Sequence, residues 1–457
     1  MKTQVIPPTG VAQHFEINES FFSMTDARGV ITAGNMVFSR TSGYALTELL
    51  GQAHNIIRHP DIPRCVFKML WENGNAGLPF MGYVKNHAKN GNHYWVFAVI
   101  EPVPRGYLSI RIKPSARNLA SICELYDRMI EIEERALVEG GSPEEAIRLS
   151  RLELDLVVRS LGFECYDAFS RSCISEELKS RDCILKEREL PLFPLGLRLH
   201  DNAQNSPGID DEYERTLRAY EQLKGLFESL DLFKSIGEKI SESQEMVRSV
   251  AEDLRLYALN ANVASETLGH QGIAIGTITQ FLHSQAQMLS GVAGSFSGSA
   301  LKISRKVGEI ASRFASARLQ LEMLLSFMGE MVRDGYEQDR LDNLLGLAQD
   351  LRGAFRVSLD LARKAAIELS AMAPDLLRSK NEIRKLIVYF KVAQIAGVTE
   401  SVRVSDADQL KAMFESLKGR IESAQNELAD LEDTAERLSR LAAATPLKID
   451  KLFCGLG

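Results

Sequence analysis

The 457-residue sequence lacks most of the signatures that announce a function on sight. Its six cysteines (Cys65, Cys123, Cys165, Cys173, Cys183, Cys454) form no Cys-x-x-Cys pair and have no His-x-x-x-His companion, so neither a zinc nor an iron–sulfur site is signalled. They read as reduced thiols. Only the run Cys165, Cys173, Cys183 suggests oxidant sensing, which requires a lowered thiol pKa. No uncharged apolar stretch approaches the roughly 18 residues of a membrane helix; the longest lies around Leu190 to Leu197, and Met1 to Pro8 has no apolar signal core. A cytoplasmic protein without a transmembrane segment is expected. There is no lysine or arginine tract, and the net charge is −7, so nucleic acid is not an expected partner. Phosphate-binding Gly-x-x-x-x-Gly-Lys, a kinase-like ATP set, a cyclase signature and Gly-x-Gly-x-x-Gly are also missing, which argues against an enzyme.

What is present is unevenly spread. Residues 1 to 117 hold both tryptophans, eight of fourteen prolines and five of eight histidines, with a net charge of +5 against −12 for the remainder. Two such different halves predict a compact mixed domain followed by a long helical region.

In the first half, Phe21–Met24 and Val30–Thr32 read as a strand hairpin about the Asp26-Ala27-Arg28-Gly29 turn. Short helices are expected between Met36 and Asn73. Three strands follow, Phe80–Asn86, His93–Val103 and Tyr107–Lys113, the first two joined at Lys89-Asn90-Gly91-Asn92. The whole is an α+β domain, a five-stranded antiparallel sheet cupped against its helices.

From Leu119 helical periodicity takes over. Leu410, Phe414, Leu417, Ile421, Ala424, Leu428, Leu431, Ala435 and Leu438 alternate at four and three residues, one coiled-coil or bundle seam that implies a homodimer. Ser142-Pro143-Glu144-Glu145 opens a capped helix. The expected organisation is a sensor domain over 1–117, a helical connector over 118–190, a linker over 191–211, a helical bundle over 212–443 broken at Gly335, Pro374 and Gly397, and a tail over 444–457.

Two stretches carry a resemblance. Thr25-Asp26, Ile31 to Asn35, Thr41-Ser42-Gly43-Tyr44, Gly51 to Pro63 and Val84 to Val96, with the block His54-Asn55-Ile56-Ile57-Arg58-His59-Pro60-Asp61-Ile62-Pro63, resemble the PAS domain of bacterial aerotaxis receptors. That resemblance implies non-covalent FAD and redox reporting. FAD needs a cationic clamp for its diphosphate, an apolar slot for its ring and amides for the ring edge. Arg58 and His59 suit the diphosphate, and Asp61 suits orienting either of them. By resemblance Asn35 and Asn86 fall at cofactor contacts, Trp71 is the ring-packing aromatic, and His54 and Tyr94 are further candidates. The bland alternatives are that Asn35 caps the following helix, Asp61 is a turn residue, Trp71 is plain core and His93 is structural. A haem held by one of the histidines, or no cofactor at all, are the other two readings. Phe80-Met81-Gly82 departs from the family pattern, with Met81 placed to crowd the pocket.

The second stretch, Leu256 to Ile275 with its Ala258-Leu259-Asn260-Ala261 core and Gly269-His270-Gln271-Gly272 turn, resembles more faintly the hairpin tip of methyl-accepting chemotaxis proteins. Ala264, Thr267 and Ile273-Ala274 replace polar positions through which that family engages its kinase and coupling protein. A weaker echo lies at Val392 to Ser401. Together these imply a redox or oxygen sensor passing its signal to a chemotaxis kinase, coupling protein or receptor array. The alternative is a cofactor-free PAS adaptor.

Overall fold

The computed structural model describes residues 6–191, 207–266, 270, 273–334, 338–404 and 408–456. It divides into two compact units. One comprises Met1–Phe227, Ala311–Ala362 and Ile449–Gly457, the other Glu228–Ile310 and Arg363–Lys448.

The first unit contains the expected five-stranded antiparallel sheet. β1 (Ser20–Thr25), β2 (Ile31–Gly34), β3 (Phe80–His87), β4 (His93–Val103) and β5 (Gly106–Ile112) are arranged β2-β1-β5-β4-β3. The β1–β2 hairpin turns through Gly29, whose positive φ of 79° suits a residue without a side chain. Between β2 and β3 come α1 (Met36–Ser42), α2 (Leu46–Leu49), a 3-10 turn at His54–Ile57 and α3 (Arg64–Asn75). Asn35 caps α1, its Oδ1 accepting from the Phe38 N–H at 3.3 Å, as the capping alternative expects. The small helices close on one sheet face over Phe15, Phe21, Ile31, Phe38, Tyr94 and Val96.

The expected connector is three helices packed on this domain: α4 (Asn118–Val138), α5 (Pro143–Ser160) and α6 (Tyr166–Glu187). Ser142 caps α5 as its sequence predicts, its Oγ accepting from the Glu145 N–H. The Glu133 carboxylate of α4 accepts from the first amides of α3, Arg64 at 2.9 Å and Cys65 at 3.2 Å, and from Ser150 Oγ of α5. Glu177 of α6 accepts from Tyr83 Oη on β3 and from the Ser115 and Ala116 amides that lead into α4. The segment expected to be a connector is therefore pinned to the sheet domain through both α4 and α6.

Four long helices follow: α7 (Pro207–Glu266), α8 (Ile273–Asp334), α9 (Gln338–Ser401) and α10 (Asp408–Leu456). They correct several expectations. α7 starts inside the stretch expected to be linker, the rest of which lies outside the described residues apart from Pro191. α9 runs through Pro374 and Gly397, and α10 runs through Pro446 to Leu456, replacing the expected tail. Tertiary burial outweighs the proline penalty in helices this long. The break expected at Gly335 falls outside the described residues.

In the second unit four helices share one core, where Leu254, Ala258 and Ala261 of α7 meet Leu282 of α8, Phe390 of α9 and Phe414 and Leu417 of α10. The α10 seam from Leu410 to Leu438 is buried here, inside the chain. The observation that suggested a homodimer is thus used within a single copy. Buried positions on the two helix pairs fall at the same spacing, the four-and-three alternation of a bundle seam. Leu254, Ala258, Ala261 and Ser265 on α7 are buried at the spacing of Leu386, Phe390, Ala393 and Gly397 on α9. Ile275, Thr279, Leu282, Ala286 and Leu289 on α8 likewise match Leu410, Phe414, Leu417, Ile421 and Ala424 on α10. Gly397 is required at its place, since a Cβ there would lie 2.4 Å from the Phe414 ring. Among the described residues no helix is long and apolar enough to cross a membrane.

Candidate functional site

Between the sheet and its small helices lies a cavity of about 270 Å³. Strand alternation supplies one wall: Ser23 and Thr25 from β1, Val84 and Asn86 from β3, Ala98 and Ile100 from β4, and Ser109 and Arg111 from β5. The opposite wall comes from His54, Arg58, Phe67 and Trp71.

Arg111 is 3% exposed, and no carboxylate lies within ion-pair distance of it among the described residues. Its Nη1 donates to Ser23 Oγ at 2.9 Å and its Nη2 lies 2.7 Å from His54 Nε2. Burial draws the guanidinium down to about 10, so it remains charged at neutral pH. Burial, then the neighbouring Arg111 charge, pushes His54 down to about 3. The imidazole is therefore neutral, with Nε2 the acceptor and the proton on Nδ1. The ring is fixed by its own amide, which donates to Gly29 O at 2.8 Å, and by stacking on Phe38.

Two further groups in the wall lack partners. Asn86 Nδ2 and Ser109 Oγ are buried without a hydrogen bond. Left dry, such groups cost of order 1–3 kcal/mol each, and both face the cavity. Together Arg111, Asn86 and Ser109 form a donor-rich, positively charged wall opposed by apolar groups. At the mouth the Arg58 guanidinium sits over Phe67, its carbon 3.9 Å from the ring centroid, while its backbone pairs with Asn86. Trp71 meets Tyr107 edge to face at 5.7 Å, and Gly29 admits it: a Cβ there would approach the indole to 2.9 Å.

The structure brings together four of the eight residues expected from sequence, His54, Arg58, Trp71 and Asn86. The other four lie elsewhere. Asn35 is buried outside the cavity, with its amide committed to the α1 cap and to Glu330. His59 faces His87 and His93 in a cluster away from the cavity, and its Nδ1 accepts from the Asp61 amide. Asp61 pairs with Lys85 and lies 3.4 Å from His59 Nδ1, the second of the two partners expected for it; it does not pair with Arg58. Tyr94 belongs to the apolar core, with burial raising its phenol. Met81 does not line the cavity, so the feared crowding is absent. Arg111, Ser23 and Ser109 were missed. The available signal was a lone charge in the apolar run Tyr107-Leu108-Ser109-Ile110-Arg111-Ile112, on the same strand face as a serine.

A haem would need a free imidazole in the cavity, and the one present is engaged by Arg111. Among the described residues no group of His, Cys, Asp and Glu is placed to hold a metal ion. Within the run Cys165, Cys173, Cys183, burial pushes the Cys173 thiol up to about 12, the reverse of what oxidant sensing requires, while Cys165 and Cys183 are exposed.

Comparison with known proteins identifies the domain that holds this cavity. Residues 32–109 match the family model of the PAS fold. The chain is 43% identical over 112 residues to the aerotaxis receptor of Escherichia coli (strain K12), covering 23% of this chain and 22% of the relative. It is 36% identical over 88 residues to a nitrogen fixation regulatory protein of Klebsiella pneumoniae, covering 19% and 18%, and 34% identical over 88 residues to one of Klebsiella oxytoca. The chain thus spans less than a quarter of the length of these curated relatives. The match over residues 32–109 identifies a PAS domain, and the sheet and cavity extend it to β1 and to the end of β5.

Proposed function

We propose that the protein is a redox or oxygen sensor that binds FAD in its PAS cavity and passes the flavin's state to the long helices. The observation that carries this reading is a cavity wall holding a buried guanidinium without a counter-ion, Arg111, beside two buried polar groups without a hydrogen bond, Asn86 Nδ2 and Ser109 Oγ. Such a wall suits the acceptor-rich edge of an isoalloxazine ring. FAD supplies reversible electron uptake when bound. Arg111 would offer a fixed positive charge to the ring edge, and neutral His54 would keep that guanidinium in place. Phe67 and Trp71 would supply apolar packing for the ring, and Arg58 would serve the diphosphate.

Downstream, we assign the helical region to signalling with a chemotaxis-type kinase, coupling protein or receptor array. The similarity of the PAS region to an aerotaxis receptor supports this, as does the α7–α8 hairpin at the expected tip. The protein performs no catalysis in this reading, acts in the cytoplasm, and self-associates, if at all, through surfaces other than the α10 seam.

The test is occupancy. Asn86→Ala and Arg111→Met should each weaken FAD binding at least tenfold, measured by equilibrium dialysis, with helicity by circular dichroism unchanged. Undiminished binding in both would remove the pocket from this account.

A further inference from the structure

The strands that line the cavity also have an outer face, and α8 covers it. From Ala311 to Met331 nearly every α8 residue is buried. Alternation gives neighbouring strand residues to opposite sides. Ser23 lines the cavity; Phe22, one residue earlier, meets Phe327 of α8 edge to face at 5.2 Å. Ile100 lines the cavity; Glu101, one residue later, accepts from Gln320 of α8 and from Ser358 Oγ of α9 at 3.1 Å.

A third contact joins the two sides through one side chain. Asn35 Oδ1 accepts from the Phe22 amide at 3.2 Å, and Asn35 Nδ2 donates to Glu330 Oε1 of α8 at 2.8 Å. The other Glu330 oxygen accepts from the Met36 amide, the first of α1, at 3.0 Å. Asn35 and Glu330 are 1% and 7% exposed. A carboxylate this buried is strongly penalised for losing either partner, so α8 is favoured fully docked or fully released rather than between.

We propose that α8 is the output contact of the PAS domain, that Asn35 and Glu330 form its latch, and that the latch is biased from the cavity through Ser23 and Phe22 on β1. The route bypasses the α4–α6 segment, which is pinned to the domain. The latch rests on the sensor reading only for the identity of the stimulus; its geometry is independent of any ligand. A cavity event that changes the Arg111–Ser23 hydrogen bond moves β1, and β1 carries both the Phe327 contact and the Asn35 acceptor contact. The cavity thereby shifts the population of docked α8, as it must if it interacts differently with the two arrangements.

The experiment is hydrogen exchange on the full-length chain, read over residues 318–331, with the α4–α5 peptides as a control for general destabilisation. Asn35→Asp sets a carboxylate against Glu330 and should speed exchange there at least tenfold. Adding Glu330→Gln should restore slow exchange, because its amide again donates to a carboxylate. Ser23→Ala and Arg111→Met touch no α8 residue, yet each should change exchange over 318–331 at least threefold. Failure of rescue, or no response to either cavity substitution, would overturn the latch. FAD content is measured on the same samples. A protein that takes up no FAD and shows both responses keeps the latch and sinks the flavin reading. One that holds FAD and shows neither response sinks the latch and leaves the flavin reading standing.

Discussion

The first unit buries arginines in two ways. Arg181 of α6 donates to Glu322 of α8 at 2.5 Å, and Arg318 shares that carboxylate while also pairing with Asp182. Against the upward push of burial, Arg318 and Arg181 hold the Glu322 carboxyl below the usual range. Arg111 is buried as deeply, but its partners are a serine hydroxyl and a neutral imidazole. Removing charge from water is expensive, and a fold that does so without a counter-ion keeps the group for something other than stability. The paired arginines join parts of the scaffold. The unpaired one marks the site.

That contrast is breakable. The largest effect should come from Glu322→Ala, which leaves two buried guanidiniums short of a partner and should cost about 3–5 kcal/mol. The readout is the first transition in chemical unfolding, because a chain of two units is not a two-state system. Arg111→Met orphans no carboxylate and should change the stability of the ligand-free protein by only about 1 kcal/mol, while FAD binding falls as stated above. Equal losses for the two substitutions would erase the distinction.

A smaller effect follows from pH. The folded pKa of His54 is depressed from 6.5 to about 3 by burial and then by Arg111, and that of His59 to about 4, chiefly by burial. Between those limits the unfolded chain binds more protons, so stability is full above about pH 6.5 and declines as pH falls toward 3. His54→Gln should flatten part of that decline in thermal melts taken across the window. An unchanged slope would show that His54 is not the buried neutral base described here. Trp71→Ala should matter least. The indole is 37% exposed, so its loss should weaken FAD binding a few-fold and leave the fold intact.

Much of this was legible in the residues. All five strands fall within a few positions of their expected bounds, because alternation, turn glycines and β-branched runs agree with one another in that region. The pairing of α7 with α8 was readable from the helical periodicity on both sides of the Gly269–Gly272 turn, which apart from His270 lies outside the described residues. The course of α9 and α10 was not, since Pro374, Gly397 and Pro446 are local breakers overridden by long-range burial. For the site, motif position identified the mouth and one wall: Arg58, Trp71, Asn86 and His54. It failed for His59 and Asp61, which share the Arg58 loop but turn toward the His87 and His93 cluster and Lys85. It failed for Asn35 because the group that claims its amide lies nearly three hundred residues away on α8. Arg111 was overlooked for a related reason: one charge in an apolar strand has no sequence neighbour to declare its function.

The similarities reported above cover at most 23% of the chain, and the helical region rests on its own geometry. There the two hairpins repeat one pattern of buried positions, and four helices complete a core within a single chain. A seam that suggested pairing between copies is satisfied internally. This is why coiled-coil periodicity alone is a weak guide to oligomeric state.

The most direct measurement is a visible absorption spectrum of the freshly purified full-length protein, taken before and after dithionite, with the released chromophore identified by mass. The account predicts a flavin spectrum that bleaches on reduction and releases FAD. A protein that stays colourless after incubation with FAD would contradict it and leave a PAS adaptor whose function lies in its helices.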